Sequence, residues 1–150
     1  GLVIFRFDAP LFFANARTFA EQVTRLAAID PAPKWILVAG EPISDIDTTA
    51  ADMLADLVGD LERQGTLLCF AELKSRVRGK LESYELAEIT GRIRYFDTLN
   101  AAGKVYRAEF GTNWGDTDFP PVWPLPEGSA PPVGEEADDE SETGHPAGGF

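Results

Sequence analysis

Residues 35–39 read Trp35-Ile36-Leu37-Val38-Ala39, five apolar side chains in a row. A strand with one solvated face alternates apolar and polar residues, so an uninterrupted run is typical of a central strand covered on both faces. Residues 66–71 contain a second run of this kind. Between the two runs, apolar residues recur at helical spacing over positions 50–61. A strand, a helix and a strand in succession predict parallel strands joined by a crossover helix.

Upstream of this unit, the sequence predicts two more strands and a helix. Residues 2–7 are rich in β-branched and aromatic side chains, and residues 11–14 form a short apolar run after a turn. Phe12 and Phe13 in that second run are therefore expected in the core. Asn15 is a favoured N-cap residue, and the apolar spacing after it predicts the first helix.

Downstream, the pattern is less regular. Residues 74–86 predict a third helix that a glycine interrupts, and residues 94–96 predict a short edge strand. Asp97 or Thr98 is placed to cap a last helix. The predicted fold class is α/β: one small domain with a mostly parallel central sheet of about four or five strands and about four helices.

Charge is distributed unevenly along the 150 residues, whose net charge is −12. Residues 116–150 hold nine acidic residues and no Lys or Arg, so residues 1–115 carry only −3. A mildly acidic folded part argues against nucleic acid as a partner. We expect a domain over residues 1–111, a Pro/Trp-rich extended segment over 112–126, and a disordered acidic tail over 127–150.

Several kinds of chemistry lack the residues that they need. Cys69 and His145 are the only cysteine and histidine, which excludes an intrachain disulfide and a nucleophile activated by histidine within the fold. No phosphate-binding glycine loop is present either. We therefore predict no catalytic residue, no metal and no required cofactor, although Asp45 and Asp47 resemble a carboxylate pair for magnesium. No run approaches the ~20 apolar residues of a membrane span, so this stretch is expected to be soluble.

The turn at Asp47-Thr48-Thr49 is the candidate site. It follows Ser44 and opens the helix over residues 50–61, where unsatisfied backbone N–H groups and the helix dipole favour an anion. The alternative is that Asp and Thr merely cap the helix.

Two stretches resemble a known family. The first runs from Val3 to Ala16 and contains the apolar-Phe-Phe-Ala-Asn turn, and the second is Ile46-Asp47-Thr48-Thr49-Ala50. Residues 97–102 also look like the entry to that family's last helix. Over residues 1–111 the chain resembles the STAS domain (sulfate transporter and anti-sigma factor antagonist), in the version attached to sulfate-permease (SulP) anion transporters.

The resemblance implies a cytoplasmic regulatory domain at the C-terminal end of a sulfate or anion transporter. Its partner would be the transmembrane domain of the same polypeptide, at the cytoplasmic face of the plasma membrane. The family pattern places a phosphoacceptor at Thr48, a substrate for a kinase, and a nucleotide (GTP/GDP or ATP) near the same turn. Phe13 and Asn15 then become candidates beside that nucleotide, with Phe13 able to stack on a purine. Here the acceptor is Thr where many members have Ser, and Ala50 stands where many have Gly.

A concentration of basic residues follows the third predicted strand, at Lys74, Arg76, Arg78 and Lys80. These cations suit nucleotide phosphates, anionic lipid headgroups or the body of a transporter. The alternative is an ordinary solvated helix face.

Two other functions remain open on the sequence. A free-standing anti-sigma-factor antagonist, regulated by Ser/Thr phosphorylation, would use the same turn. A small α/β enzyme or a phosphoacceptor receiver domain would use Asp45 and Asp47. The acidic pair of a receiver should follow the first strand, where Arg6 and Asp8 stand instead.

Overall fold

A computed structural model describes residues 1–84, 91–112 and 122–123. Its five strands are β1 (Leu2–Arg6), β2 (Trp35–Ala39), β3 (Leu67–Ala71), β4 (Arg94–Phe96) and β5 (Val122–Trp123). The described residues form four helices: α1 (Ala16–Ala27), α2 (Thr48–Arg63), α3 (Ser75–Ser83) and α4 (Leu99–Phe110). The strands lie in the order β4-β3-β2-β1-β5, and every pairing is parallel. The predicted α/β class is confirmed.

The sheet is covered on both faces at strand β2, because all five residues of this strand are buried. Ile36 and Val38 point into a core shared with α1, α2 and α3. Trp35 and Leu37 point to the opposite face, into a smaller core that α4 covers. The alternation of side chains along a strand thus divides one apolar run between two layers.

Helix ends follow the local chemistry of the sequence. The Thr98 hydroxyl accepts a hydrogen bond from the Ala101 amide at 3.0 Å, so the predicted cap of α4 is confirmed. Helix α4 ends at Gly111, whose φ of 65° is left-handed, and Gly65 at φ 78° follows α2 in the same conformation. A residue with a Cβ is strained at such angles, so glycine suits both stops.

Residues 11–14 are not the strand that we predicted. Only Leu11 forms a bridge, an isolated parallel one with Ile46, and a turn follows it. Phe12 and Phe13 are 37% and 72% exposed, so the expectation that they lie in the core is wrong. The reason is local: the Asn15 side chain bonds to the backbone of this turn and holds it out of the sheet.

The structure describes only parts of the predicted third helix and of the predicted C-terminal segments. Helix α3 covers residues 75–83, within the predicted 74–86, while residues 85–90 lie outside the described part. Strand β5 pairs with Ile4 and Phe5 of β1. The domain boundary at residue 111 stays a prediction, and the acidic tail lies outside the described residues. Within the residues that are described, no helix has both the length and the apolar character to cross a bilayer.

Candidate functional site

Two loops meet at the edge of the sheet where the parallel strands end. The Leu11 amide donates to the Asp45 carbonyl at 2.9 Å, and the Asp47 amide donates to the Leu11 carbonyl at 3.1 Å. These bonds fasten the turn after β1 to the turn before α2. Ligands of open α/β sheets bind at this carboxyl edge, so the position suits a recognition site.

Asp47 joins the two loops through its side chain. Its Oδ1 accepts from the Ala50 amide at 2.8 Å, which caps α2, and its Oδ2 accepts from the Phe13 amide at 2.9 Å. The Ala50 amide is therefore already occupied and is not available to an anion. The predicted capping role of Asp47 is present, and it extends to a second loop.

Thr48 and Thr49 remain accessible after this capping. Both side chains are exposed, as is Ser44. They occupy the first two positions of α2, where a backbone N–H has no acceptor within the helix. The turn thus offers two amides at the positive end of a 16-residue helix, together with two hydroxyl groups.

Asn15 and Phe13 lie next to this turn in different roles. Asn15 sits at the N-cap position of α1 but makes no side-chain cap bond. Its Oδ1 instead accepts from the Phe12 amide at 2.9 Å, and its Nδ2 donates to the Pro10 carbonyl at 2.8 Å. Asn15 therefore shapes the turn that exposes Phe13, whose amide is bonded to Asp47.

Asp45 is held by two cations from α3. Lys80 Nζ lies 2.6 Å from its Oδ1, and an Arg76 guanidinium nitrogen lies 3.3 Å from its Oδ2. Two hydrogen bonds lower the pKa of Asp45 below its usual value: the one from Lys80 has the largest effect, and the one from the Ile46 amide has the next largest. The positive charges of Lys80 and Arg76 offset the negative charge of the carboxylates at this turn. Without them, that negative charge would repel an anion.

The predicted basic concentration is divided among several partners. Arg76 and Lys80 face Asp45, whereas Arg78 pairs with Glu82 at 3.2 Å and lies over the Tyr95 ring at 4.6 Å. Lys74 has no ion pair within the part of the chain that is described. Only Arg76 and Lys80 of the basic set therefore contact the residues just before the Asp47-Thr48-Thr49 turn.

A second concave surface lies beside the N-terminus of α3, between the ends of β3 and β4. It encloses about 290 Å³ and has a mixed charge. Its lining residues are Glu72, Leu73, Lys74, Ser75, Arg78, Tyr95, Phe96 and Asp97. Sequence reasoning missed this surface, because two separate segments form it, residues 72–78 and residues 95–97.

Tyr95 provides a test of the packing at this surface. Its hydroxyl is buried without a hydrogen-bond partner among the described residues, and burial raises the pKa of Tyr95 to about 12. Removing an unsatisfied buried hydroxyl avoids its desolvation cost, so we expect Tyr95→Phe to stabilise the protein by about 1 kcal/mol in urea unfolding. The raised pKa also means that the parent protein loses stability, relative to Tyr95→Phe, as the pH rises above about 10. A destabilised Tyr95→Phe variant would show that the hydroxyl has a partner.

Other reactive groups do not assemble into a site. In residues 1–84, 91–112 and 122–123, no three His, Cys, Asp or Glu side chains come together in a way that would hold a metal ion. Cys69 is fully buried in β3, and burial raises its pKa to about 12. A thiol of this kind is protonated and shielded at neutral pH, as expected for a core residue.

The fold and the turn together define the class of protein. It is a parallel α/β domain in which an exposed Asp-Thr-Thr turn opens the second helix at the carboxyl edge. The family model of the STAS domain matches residues 1–102. The chain belongs to the STAS domain family, as the sequence resemblance predicted.

Known relatives agree with this assignment. A probable sulfate transporter of Mycobacterium tuberculosis is 34% identical over 108 residues, which are 71% of this chain and 19% of the relative. A sulfate transporter family protein from Wolinella succinogenes has a similar structure, with a TM-score of 0.63, 25% identity, and coverage of 74% of this chain and 88% of that one. The chain spans about a fifth of the length of the transporter relative.

The fold also occurs within a whole transporter. The mouse solute carrier 26 family member A9 anion transporter matches with a TM-score of 0.62 at 19% identity, over 69% of this chain and 17% of that one. At this identity the likeness concerns the fold alone. The relatives at higher identity are sulfate transporters, so the free-standing antagonist is not favoured.

Proposed function

We propose that this domain is the cytoplasmic regulatory part of a sulfate or anion transporter and that its Asp47-Thr48-Thr49 turn recognises phosphate, on a nucleotide or on Thr48 itself. The observation that carries the proposal is the exposure of Thr48 and Thr49 at the start of α2, beside a carboxylate that two cations already offset. Anions bind readily where a helix begins, because its first amides and its dipole point at them.

The transporter part of the proposal concerns the rest of the polypeptide. Relatives of this chain are named as sulfate transporters and are about five times longer than the matched region. We infer that the domain follows a membrane-spanning body and contacts it on the cytoplasmic side of the plasma membrane. Upstream coding sequence tests this directly: it should encode a series of apolar spans of about 20 residues each. An upstream sequence without such spans would contradict the attachment.

The nucleotide part can be separated from phosphorylation at a single position. Thr48→Pro removes the backbone donor at the first helical position, where proline is well tolerated. Asp47 before it is extended, with φ −97° and ψ 172°, as a residue preceding proline requires. Thr48→Ala keeps the amide and removes the hydroxyl, and it is therefore the matched control.

We expect GTP or ATP to bind the parent chain and Thr48→Ala with affinities within about twofold, measured by isothermal titration calorimetry. Thr48→Pro should bind at least about tenfold more weakly, because a hydrogen bond to a charged group contributes roughly 1.5–3 kcal/mol. Equal binding by Thr48→Pro would show that the amide is not used. If neither nucleotide binds the parent chain, nucleotide recognition is wrong.

Phosphorylation of Thr48 makes a different prediction. The hydroxyl is exposed, and a phosphate there would lie at the positive end of α2 within reach of the turn's free amides. Mass spectrometry of the transporter purified from its own cells should show phosphate on Thr48 and none on the Thr48→Ala protein. Phosphate confined to other residues would exclude Thr48 as the acceptor.

A further inference from the structure

Among the helices that the structure describes, α3 buries the fewest residues. It buries only Val77 and Leu81, whereas α2 buries six residues. Gly79 lies in its middle, which weakens a helix interior. Its N-cap residue, Lys74, makes no side-chain cap bond. An element with few buried apolar contacts opens at a low free-energy cost, so α3 is expected to open more readily than α2.

Polar contacts join α3 and its end to the two residues just before Asp47. Lys80 Nζ bonds to Asp45 Oδ1 at 2.6 Å and lies 3.5 Å from the Ile46 carbonyl. The hydroxyl of Tyr84, which follows α3, donates to the same carbonyl at 3.4 Å. Arg76 adds a longer contact of 3.3 Å to Asp45. The turn that precedes Thr48 and the packing of α3 are therefore mechanically linked.

The central pair of this link is open to competition. The Lys80 and Asp45 side chains are 33% and 25% exposed, so solvent and ions reach both. A lysine ammonium is a compact charge on a flexible stem, and it can move between neighbouring acceptors. A phosphate carries nearly two negative charges at neutral pH, whereas the carboxylate carries one. A phosphate close to Asp45 both attracts Lys80 and repels the carboxylate.

We propose that Asp45 and Lys80 form an exchangeable ion pair through which phosphate at the Asp47-Thr48-Thr49 turn loosens α3. This inference rests on the proposed function, since it takes phosphate at the turn as the input. Lys80 leaves Asp45 for the phosphate, the hold on the Ile46 carbonyl weakens, and α3 exchanges more often with an open state. Asp45 and Lys80 are thus positioning residues that carry the signal from the turn to α3.

The first arm of the test needs no ligand. Amide hydrogen exchange followed by mass spectrometry should be roughly two- to fivefold faster in α3 for Asp45→Asn than for the parent chain, the range expected when a partly exposed ion pair is lost. Lys80→Gln breaks the same pair from the other side and should give the same result. Glu21→Gln is the matched control, because it removes one negative charge from the exposed Arg17–Glu21 pair on α1.

Exchange in α2 provides the internal reference in each variant and should stay within about twofold of the parent value. If Asp45→Asn and Lys80→Gln leave α3 unchanged, or change it no more than Glu21→Gln does, the ion pair does not hold the helix. That result would overturn the inference without touching the proposed function. Faster exchange in every helix would show general destabilisation and would also overturn it.

The second arm adds saturating GTP, or ATP if it binds more tightly. In the parent chain α3 should then exchange at about the rate of unliganded Asp45→Asn, while the variant should show no further increase. Nucleotide that binds but leaves α3 unchanged, or slows its exchange, contradicts the relay and leaves the recognition of phosphate intact. Failure of both nucleotides to bind removes the proposed function and this inference together.

Discussion

Replacing Trp35 by alanine should lower the free energy of unfolding by about 3–5 kcal/mol, as is usual for a large buried aromatic side chain. Trp35 is 2% exposed at the start of β2, and its ring meets Phe96 at 5.7 Å and Tyr106 at 5.2 Å between ring centroids. Arg94 lies over the same ring at 4.9 Å. The variant therefore leaves a cavity between the sheet and α4, which is the only helix of the described residues on that face.

Urea unfolding followed by far-ultraviolet circular dichroism measures this loss without relying on tryptophan fluorescence. Phe13→Ala is the matched control, because it also removes an aromatic ring but from a side chain that is 72% exposed. We expect the control to change stability by less than about 0.5 kcal/mol. Similar losses for the two variants would contradict the division between the buried and exposed aromatic residues.

Replacing Asp47 by alanine should cost about 2–3 kcal/mol of stability in the same urea experiment. The loss of a helix cap accounts for about 1 kcal/mol. The remainder comes from the hydrogen bond that the Phe13 amide donates to the Asp47 carboxylate at 2.9 Å. Its loss also removes a contact between the two loops. The expected result is therefore larger than for a residue that only caps a helix.

Thr98→Ala supplies that comparison, because Thr98 caps α4 through one bond to the Ala101 amide and its hydroxyl has no second acceptor role among the described contacts. We expect this control to lose about 1 kcal/mol. If Asp47→Ala costs no more than Thr98→Ala, the bond from the Phe13 amide to the Asp47 side chain adds no stability.

Much of the architecture could be predicted because it depends on local patterns. Each of these patterns lies within a short stretch of sequence. Examples are the apolar run of β2, the helical spacing in α2 and the cap at Thr98. Short-range periodicity and turn chemistry are sufficient for elements of this kind. The succession of strands and helices then predicted a mostly parallel sheet, but the order of its strands was not predicted.

The turn after β1 could not be predicted in the same way. Its apolar residues look like a strand, but Asn15 bonds to the backbone of Phe12 and Pro10, and this competes with strand pairing. The Phe13 amide then finds its acceptor on Asp47, 34 positions away. A hydrogen bond over that distance leaves no periodic signal in the sequence.

The electrostatics of the candidate site could not be predicted either, because its ion pairs join residues that are far apart in the sequence. Asp45 and Asp47 read as two like charges that oppose an anion. The fold brings Lys80 to Asp45 across 35 positions and places two backbone amides on Asp47. Single-sequence reasoning identified the turn but not the groups that offset its charge.

Recognition of phosphate at the start of α2 is tested most directly by following backbone amide resonances while GTP and, separately, ATP are added to the full chain. The largest shifts should come from Thr48 and Thr49, with smaller ones from Phe13, whose amide shares the Asp47 carboxylate. Absent shifts, or shifts that instead cluster at Lys74, Ser75 and Asp97 around the second concave surface, would contradict it.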